Sequence, residues 1–512
     1  MLGTLRTSTT NAAIVISTAA VLLVCFATRD VIPYASGTGY DGGRYASWAK
    51  TMSIATLVAA ARDHLHGKIP TTRGDEVLDS FYAHRVLPSI AVYYLLGAVR
   101  AERSTDNVIL AFAWLNIVLL LVTVWCWLKS ADELRLGANG KWLGTVALIV
   151  SYANLKMPLY YATLTDTAAL AVGAASMLCY LQGRNRALWF ATLAGAFIWP
   201  TLIWFNVLLL IFPRASGDSD VRSSRFDLIV AAAIAVATVV WIEFLFSSGF
   251  ELRWTPVRPI LNLRHVSAAF AGVYTFFGLW RLLDMHAIWT HVRRLRVVSG
   301  LLSAVLVSVV SEVVAWLIAP LKPDFGLREF FGSFLTAGLQ PFTFLLAHVL
   351  YFGPILIFLP FAWRAMCARI RRFGPGAVAY FGAAVILSLR SESRQLINVL
   401  PFVLLLLIPS LEEVVASWPR WATFIAVTVL CSKVWLPMDR TMVLPLVGPV
   451  DWRDLYVSSR GPWIDHGPYL LQLTLMLPVG VLFFYWWHTR VDQHAAIEAT
   501  YRRPQPRHSS AT

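Results

Sequence analysis

Apolar runs of about twenty residues, the length that carries a helix across a lipid bilayer, recur from one end of this chain to the other, separated by short turns rich in arginine. A backbone in lipid has no water to bond with, so such runs must form helices that satisfy their own amides. The expected fold class is therefore all-α, a polytopic transmembrane helical protein. Composition agrees: 57% hydrophobic, 14% charged and a mean hydropathy of +0.62 exclude an ordinary soluble globule. The net charge of +14 does not point to nucleic acid, because the basic residues are split among inter-helical turns and a tail. That is the pattern of orientation signals and of contact with anionic membrane lipids. Cys25, Cys126, Cys179, Cys367 and Cys431 lie in or beside apolar runs without CxxC or Cys/His spacing, so they read as small core residues rather than a disulfide framework or a zinc site.

The first span is expected over 12–34, too long for the apolar part of a signal peptide. Residues 35–86 form the first long polar segment, within which 45–64 is amphipathic and suited to lying in the membrane interface. The run 87–99 is marginal for a crossing and reads as interfacial or re-entrant. Spans are expected at 107–128, 142–163 and 167–181, and 187–212 is expected to break at Trp199-Pro200 into two short helices. Further spans fall near 227–249, 266–283, 298–319, 340–362, 376–390, 397–412, 420–436 and 468–487. The total is about twelve to fourteen crossings. Counting arginines and lysines places both ends on the cytoplasmic side, and 35–86, Asp166, 391–394 and 437–466 together on the other. This organisation is one transmembrane unit over 1–490 with a basic cytoplasmic tail over 491–512.

Polar exceptions to this pattern carry the chemistry. Residues 38–45, Thr-Gly-Tyr-Asp-Gly-Gly-Arg-Tyr, follow the first span and hold Asp41 between glycines that let backbone approach a ligand closely. Asp-Gly-Gly is also ordinary turn chemistry. Asp166, in Leu-Thr-Asp-Thr, could be a helix cap or a functional acid. Arg85 and Arg390 could snorkel at helix ends, whereas Arg394, in Ser-Glu-Ser-Arg, must either pair with Glu392 or face a cavity. Glu243 and Glu312 lie inside spans and need partners, with Ser308 and Ser311 near enough to satisfy Glu312. Trp452, Tyr456, Trp463 and His466 in the late loop could stack on a sugar or belong to an aromatic belt.

Taken in order, the Tyr-Asp-Gly after the first span, Ala-His-Arg-Val-Leu-Pro at 83–88, Leu-Thr-Asp-Thr at 164–167 and Glu-Ser-Arg before Leu400-Pro401-Phe402 resemble the GT-C glycosyltransferase superfamily. The resemblance implies a transmembrane enzyme, in the bacterial inner membrane, that takes a sugar from a polyprenyl-phosphate donor and passes it to a glycan, lipid or protein acceptor on the extracytoplasmic face. It implies Asp41 as the base, Asp166 as a second acid orienting the acceptor or a basic residue, and Arg85, Arg394 and His84 around the donor phosphate. Tyr40, Tyr45 and Glu392 would contact substrate. The first loop lacks the Asp-x-Asp or Glu-x-Asp of some members, so a divalent metal is possible but not indicated, and no other cofactor is implied. The chemistry needs a base for the incoming hydroxyl and cations for the departing phosphate, and one carboxylate with two guanidiniums supplies them. Two other classes stand beside it. One is a transporter or flippase for a lipid-linked or amphiphilic substrate, with Glu243, Glu312 and the arginines lining its pathway; the other is a non-catalytic assembly subunit of an envelope polysaccharide system.

Overall fold

The computed structural model describes residues 2–39, 41–68, 80–212, 214, 224–250, 263–293, 297–319, 327–436 and 466–501, and among these every regular element is helical. The first helices are α1 (Leu2–Ala27), α2 (Gly42–Thr51), α3 (Ile54–Leu65), the short α4 (Ser80–Ala83), α5 (Leu87–Ala98) and α6 (Thr105–Glu133). Then come α7 (Ala138–Ile149), a π-turn (Tyr152–Lys156), α8 (Met157–Tyr160), α9 (Asp166–Leu181), α10 (Asn185–Gly195) and α11 (Pro200–Ile211). The middle of the chain holds α12 (Arg225–Ser247), α13 (Arg264–Trp280), α14 (Met285–Arg293), α15 (Val298–Ile318), α16 (Leu327–Gly332) and α17 (Thr336–Leu339). The last part holds α18 (Thr343–Phe352), α19 (Ile355–Arg372), α20 (Pro375–Ser388), a 3-10 turn (Ser393–Leu396), α21 (Leu400–Val414), α22 (Trp418–Ser432) and α23 (His466–Tyr501).

Local chemistry accounts for many of the helix ends. Ser53 and Thr56 exchange side-chain and backbone hydrogen bonds at the start of α3, and Ser224 and Asp227 do so at the start of α12. Each pair thereby satisfies amides that the first turn leaves without partners. Ser104 caps α6 by accepting from the Asn107 amide. Proline occupies the first turn of α5, α11, α20, α21 and α22, where its missing N–H costs nothing.

Among the described residues, five helical stretches are long and apolar enough to cross a membrane: Ser8–Ala27, Thr105–Glu133, Arg225–Ser247, Val298–Ile318 and Gly467–Thr489. Two bent pairs raise the number to seven, α13 with α14 at 60° and Phe330–Leu339 with α18 at 100°. This is a multi-pass arrangement with fewer full-length helices than the twelve to fourteen expected from apolar runs. Several runs are broken. The run 142–163 is interrupted after α7 because Asn154 turns its side-chain amide back onto the Leu148 carbonyl at 2.6 Å, while its backbone N–H bonds Ser151. The run 340–362 breaks at Gly353, whose φ of 93° no helix accepts, and Pro354 follows it. The expected break at Trp199-Pro200 is present between α10 and α11.

The core gathers around α9, which packs against α6, α10, α11 and α21. Gly173 makes one of these contacts possible. A Cβ there would collide with the backbone of Asn398, so α9 lies directly against the segment joining the 3-10 turn to α21. That close approach brings the start of α9 and the 3-10 turn into one neighbourhood, although hundreds of residues separate them in sequence.

Candidate functional site

Asp166 opens α9, and its carboxylate is 6% exposed. It receives two parallel hydrogen bonds from Arg394, Nε to Oδ1 at 2.7 Å and Nη2 to Oδ2 at 2.9 Å. Tyr351, from the last turn of α18, adds a third bond to Oδ1 at 3.2 Å. The helix cap of α9 is Thr165, so Asp166 does more than the bland reading of a capping residue allows. A two-point pairing of this kind fixes orientation as well as distance.

Asp41 reaches the same guanidinium from a third stretch of chain. It precedes α2, yet its carboxylate makes no capping bond to that helix. Its Oδ2 lies 3.6 Å from Arg394 Nη1, and the side chain is 29% exposed. One buried cation therefore faces two carboxylates, one clamped and enclosed, the other close but not clamped and open on one side. Burial alone would lower the proton affinity of Arg394, but the Asp166 carboxylate and then Asp41 outweigh it, and the guanidinium is held above the usual arginine range.

The loop carrying Asp41 is stitched to the segment that leads into Asp166. Ile32 N–H donates to the Tyr160 carbonyl at 2.9 Å, the Thr163 hydroxyl to the Thr38 carbonyl at 2.9 Å, and Gly42 N–H to the Tyr161 hydroxyl at 3.1 Å. A side chain at Gly42 would strike Thr163 and the Tyr161 ring. The glycine thus serves close approach to protein, not to a ligand as the sequence suggests.

Arg85 is buried, donates to the Tyr45 hydroxyl at 3.2 Å and stacks on Trp199 with its guanidinium carbon 4.4 Å from the ring centre. It is not a snorkelling residue. Arg394 approaches the same indole at 5.4 Å. Tyr45 is the hub between the charges: burial pushes its hydroxyl pKa up, with Arg85, Asp41 and Arg394 all within electrostatic reach. Tyr82 packs edge-on against Tyr45 and Trp48 at 5.8 Å and 6.0 Å between ring centres. Burial and then the Asp41 charge push its pKa up to about 12.

Other expected site residues take other partners. Arg394 does not pair with Glu392. That carboxylate lies 3.7 Å from Arg390, which is buried against Phe330 and donates to Ser333. His84 contacts the Ala196 carbonyl at 3.1 Å, stacks on Phe197 and stands 3.7 Å from Glu312. Glu312 therefore meets a histidine, while the Ser311 hydroxyl goes to the Ser308 carbonyl. Glu243 pairs with His265 at 2.7 Å, on helices α12 and α13, so the two glutamates take separate partners. Tyr40 lies outside the described residues, as do Trp452, Tyr456 and Trp463 and the tail beyond 501. Among the described residues no three His, Cys, Asp or Glu side chains gather as a metal site.

Tyr351, Trp199 and Tyr161 complete the site without having been singled out in the sequence. Trp199 alone left a trace there, as the residue before the Pro200 break. In a chain with 21 Trp, 17 Tyr and 29 Phe, single aromatics carry no signal. No family model, curated protein or solved structure matches this chain.

Proposed function

We propose that the chain is a membrane glycosyltransferase of GT-C type, moving a sugar from a polyprenyl-phosphate donor to a hydroxyl of a glycan, lipid or protein acceptor. The observation that carries this reading is Asp41, partly exposed and 3.6 Å from an arginine that is itself clamped on buried Asp166. A carboxylate so placed is held in position without being consumed by a close ion pair, and its open side can take a proton. In the reaction Asp41 accepts the hydroxyl proton as the acceptor oxygen bonds the anomeric carbon. The bond from that carbon to the phosphate oxygen breaks, and its electron pair leaves with the polyprenyl phosphate. A single displacement inverts the anomeric configuration.

In this reading Arg394 aims Asp41, a role narrower than direct phosphate binding, because two of its donors are already given to Asp166. Arg85 is then the cationic side of the donor site, with His84 beside it as a further donor-side candidate. Helices α2 and α3 would lie in the interface over the site, with Ile54, Val58 and Leu65 exposed toward lipid. The location would be the bacterial inner membrane, with the site on the extracytoplasmic face, and no metal is required by these parts.

The test is incubation of the purified full-length protein in nanodiscs with a panel of radiolabelled polyprenyl-phosphate sugars, beside Asp41→Asn, scoring release or transfer of sugar. Turnover by the parent protein and its loss in the variant supports the assignment. Equal turnover in both removes Asp41 as base. Binding of lipid-linked sugar without turnover in either favours a carrier.

A further inference from the structure

We infer that His348 is a positioning residue for the Arg394–Asp166 pair, and that α18 grips both partners of that pair from one face. The inference rests on the proposed activity only for its kinetic arm. His348 Nε2 lies 2.7 Å from the Ser388 carbonyl, and Nδ1 lies 2.9 Å from the Ser393 hydroxyl. A carbonyl oxygen only accepts, so Nε2 carries the hydrogen; in the neutral ring Nδ1 then accepts from Ser393. Ser393 immediately precedes Arg394 in the chain. One turn further along α18, Tyr351 donates to Asp166 at 3.2 Å. The same helix therefore holds the residue before the arginine and the carboxylate that the arginine clamps.

The turn so held is itself unusual. Ser391 adopts φ of 59°, a left-handed conformation uncommon outside glycine, and is fully buried. His348 bonds both sides of it, at Ser388 and at Ser393, so the ring staples a turn that the backbone alone does not favour. His348 and Tyr351 are themselves buried, so this staple reaches the substrate only through Arg394.

Two measurements on the full-length protein in nanodiscs test this. With the polyprenyl-phosphate sugar that the parent turns over, Ser393→Ala should lower kcat roughly 5- to 10-fold, as loss of one aligned bond implies, with donor KM unchanged. His348→Leu should do the same, and His348→Gln, which keeps an N–H for Ser388, should recover part of the rate. A rise in KM with kcat intact would overturn the inference. The second measurement needs no turnover. In protein labelled with 15N-histidine, the His348 ring signals, identified by their loss in His348→Gln, should show hydrogen on Nε2. The Nδ1 signal should move in Tyr351→Phe and Asp166→Asn, and stay in place in Lys141→Met. Signals unmoved by loosening Asp166 overturn the inference even if no donor is ever turned over. Signals that move while every donor fails reject the transferase reading alone.

Discussion

Two buried cations, Lys141 and Arg394, are each tied to a carboxylate, and the difference between them separates a brace from a candidate site. Lys141, at the start of α7, bonds Asp132 Oδ1 at 2.5 Å and Asn11 Oδ1 at 3.1 Å, while Asn11 returns a bond to Asp132 Oδ2 at 3.0 Å. One cation meets one anion, and an amide closes the ring. Arg394 instead serves two anions, clamping Asp166 and standing 3.6 Å from Asp41. The bonded acids differ in enclosure, Asp166 at 6% exposed against Asp132 at 29%, while the second acid, Asp41, is as open as Asp132. The number of acids differs too: the brace joins one cation to one anion, whereas Arg394 stands between two carboxylates, with the Arg85 guanidinium on the same indole. Of those two acids, Asp41 is the one that keeps an open side.

The sharpest break in this comparison is chemical. Asp41→Asn should lower sugar transfer roughly 100- to 10,000-fold, the usual loss for a general base, while the thermal midpoint stays near the parent's. Removing each cation should sort the clusters by enclosure. Arg394→Ala strands the buried Asp166 charge and should cost about 3–5 kcal/mol in denaturant titration. Lys141→Met leaves an acid with access to water and should cost about 1–3 kcal/mol, with transfer unaffected. Gly173→Ala forces α9 off the Asn398 backbone, so stability should fall by about 1–3 kcal/mol and transfer should fall with it.

The smallest effect concerns alkali. The folded-state pKa of Tyr82 lies above its ordinary 10.0, at about 12, so its contribution is complete below pH 10 and is lost as the pH rises through that interval. Tyr82→Phe should therefore flatten the fall in thermal midpoint between these values. An unchanged slope would show that burial and the Asp41 charge do not hold the Tyr82 hydroxyl above its ordinary range.

The helical, membrane-spanning character was legible because lipid permits few alternatives, and runs such as 227–249 and 298–319 became α12 and α15 with little change. Asp41, Asp166, Arg85 and Arg394 were legible for a related reason: in a chain this apolar, a charge that persists is conspicuous. Their pairing was not legible. Glu392 is two residues from Arg394 and was the natural local partner, but Gly173 lets α9 deliver Asp166 from far away in sequence. The breaks within the apolar runs were not legible because hydropathy does not register Asn154 bending back on Leu148, or the left-handed Gly353. His348 looked like any residue of an apolar run, since its two bonds go to a turn forty residues away.

The three bonds between the 32–42 loop and the 160–163 segment have a mechanical consequence. Asp41 and Asp166 ride on one piece of backbone, so thermal motion carries the two acids together. Arg394 is tied to the same assembly by its two bonds to Asp166 and, through Ser393 and His348, by α18. The two acids and the arginine between them are therefore held as one unit. Distance probes linking residues 38 and 163 should accordingly report a single fixed separation.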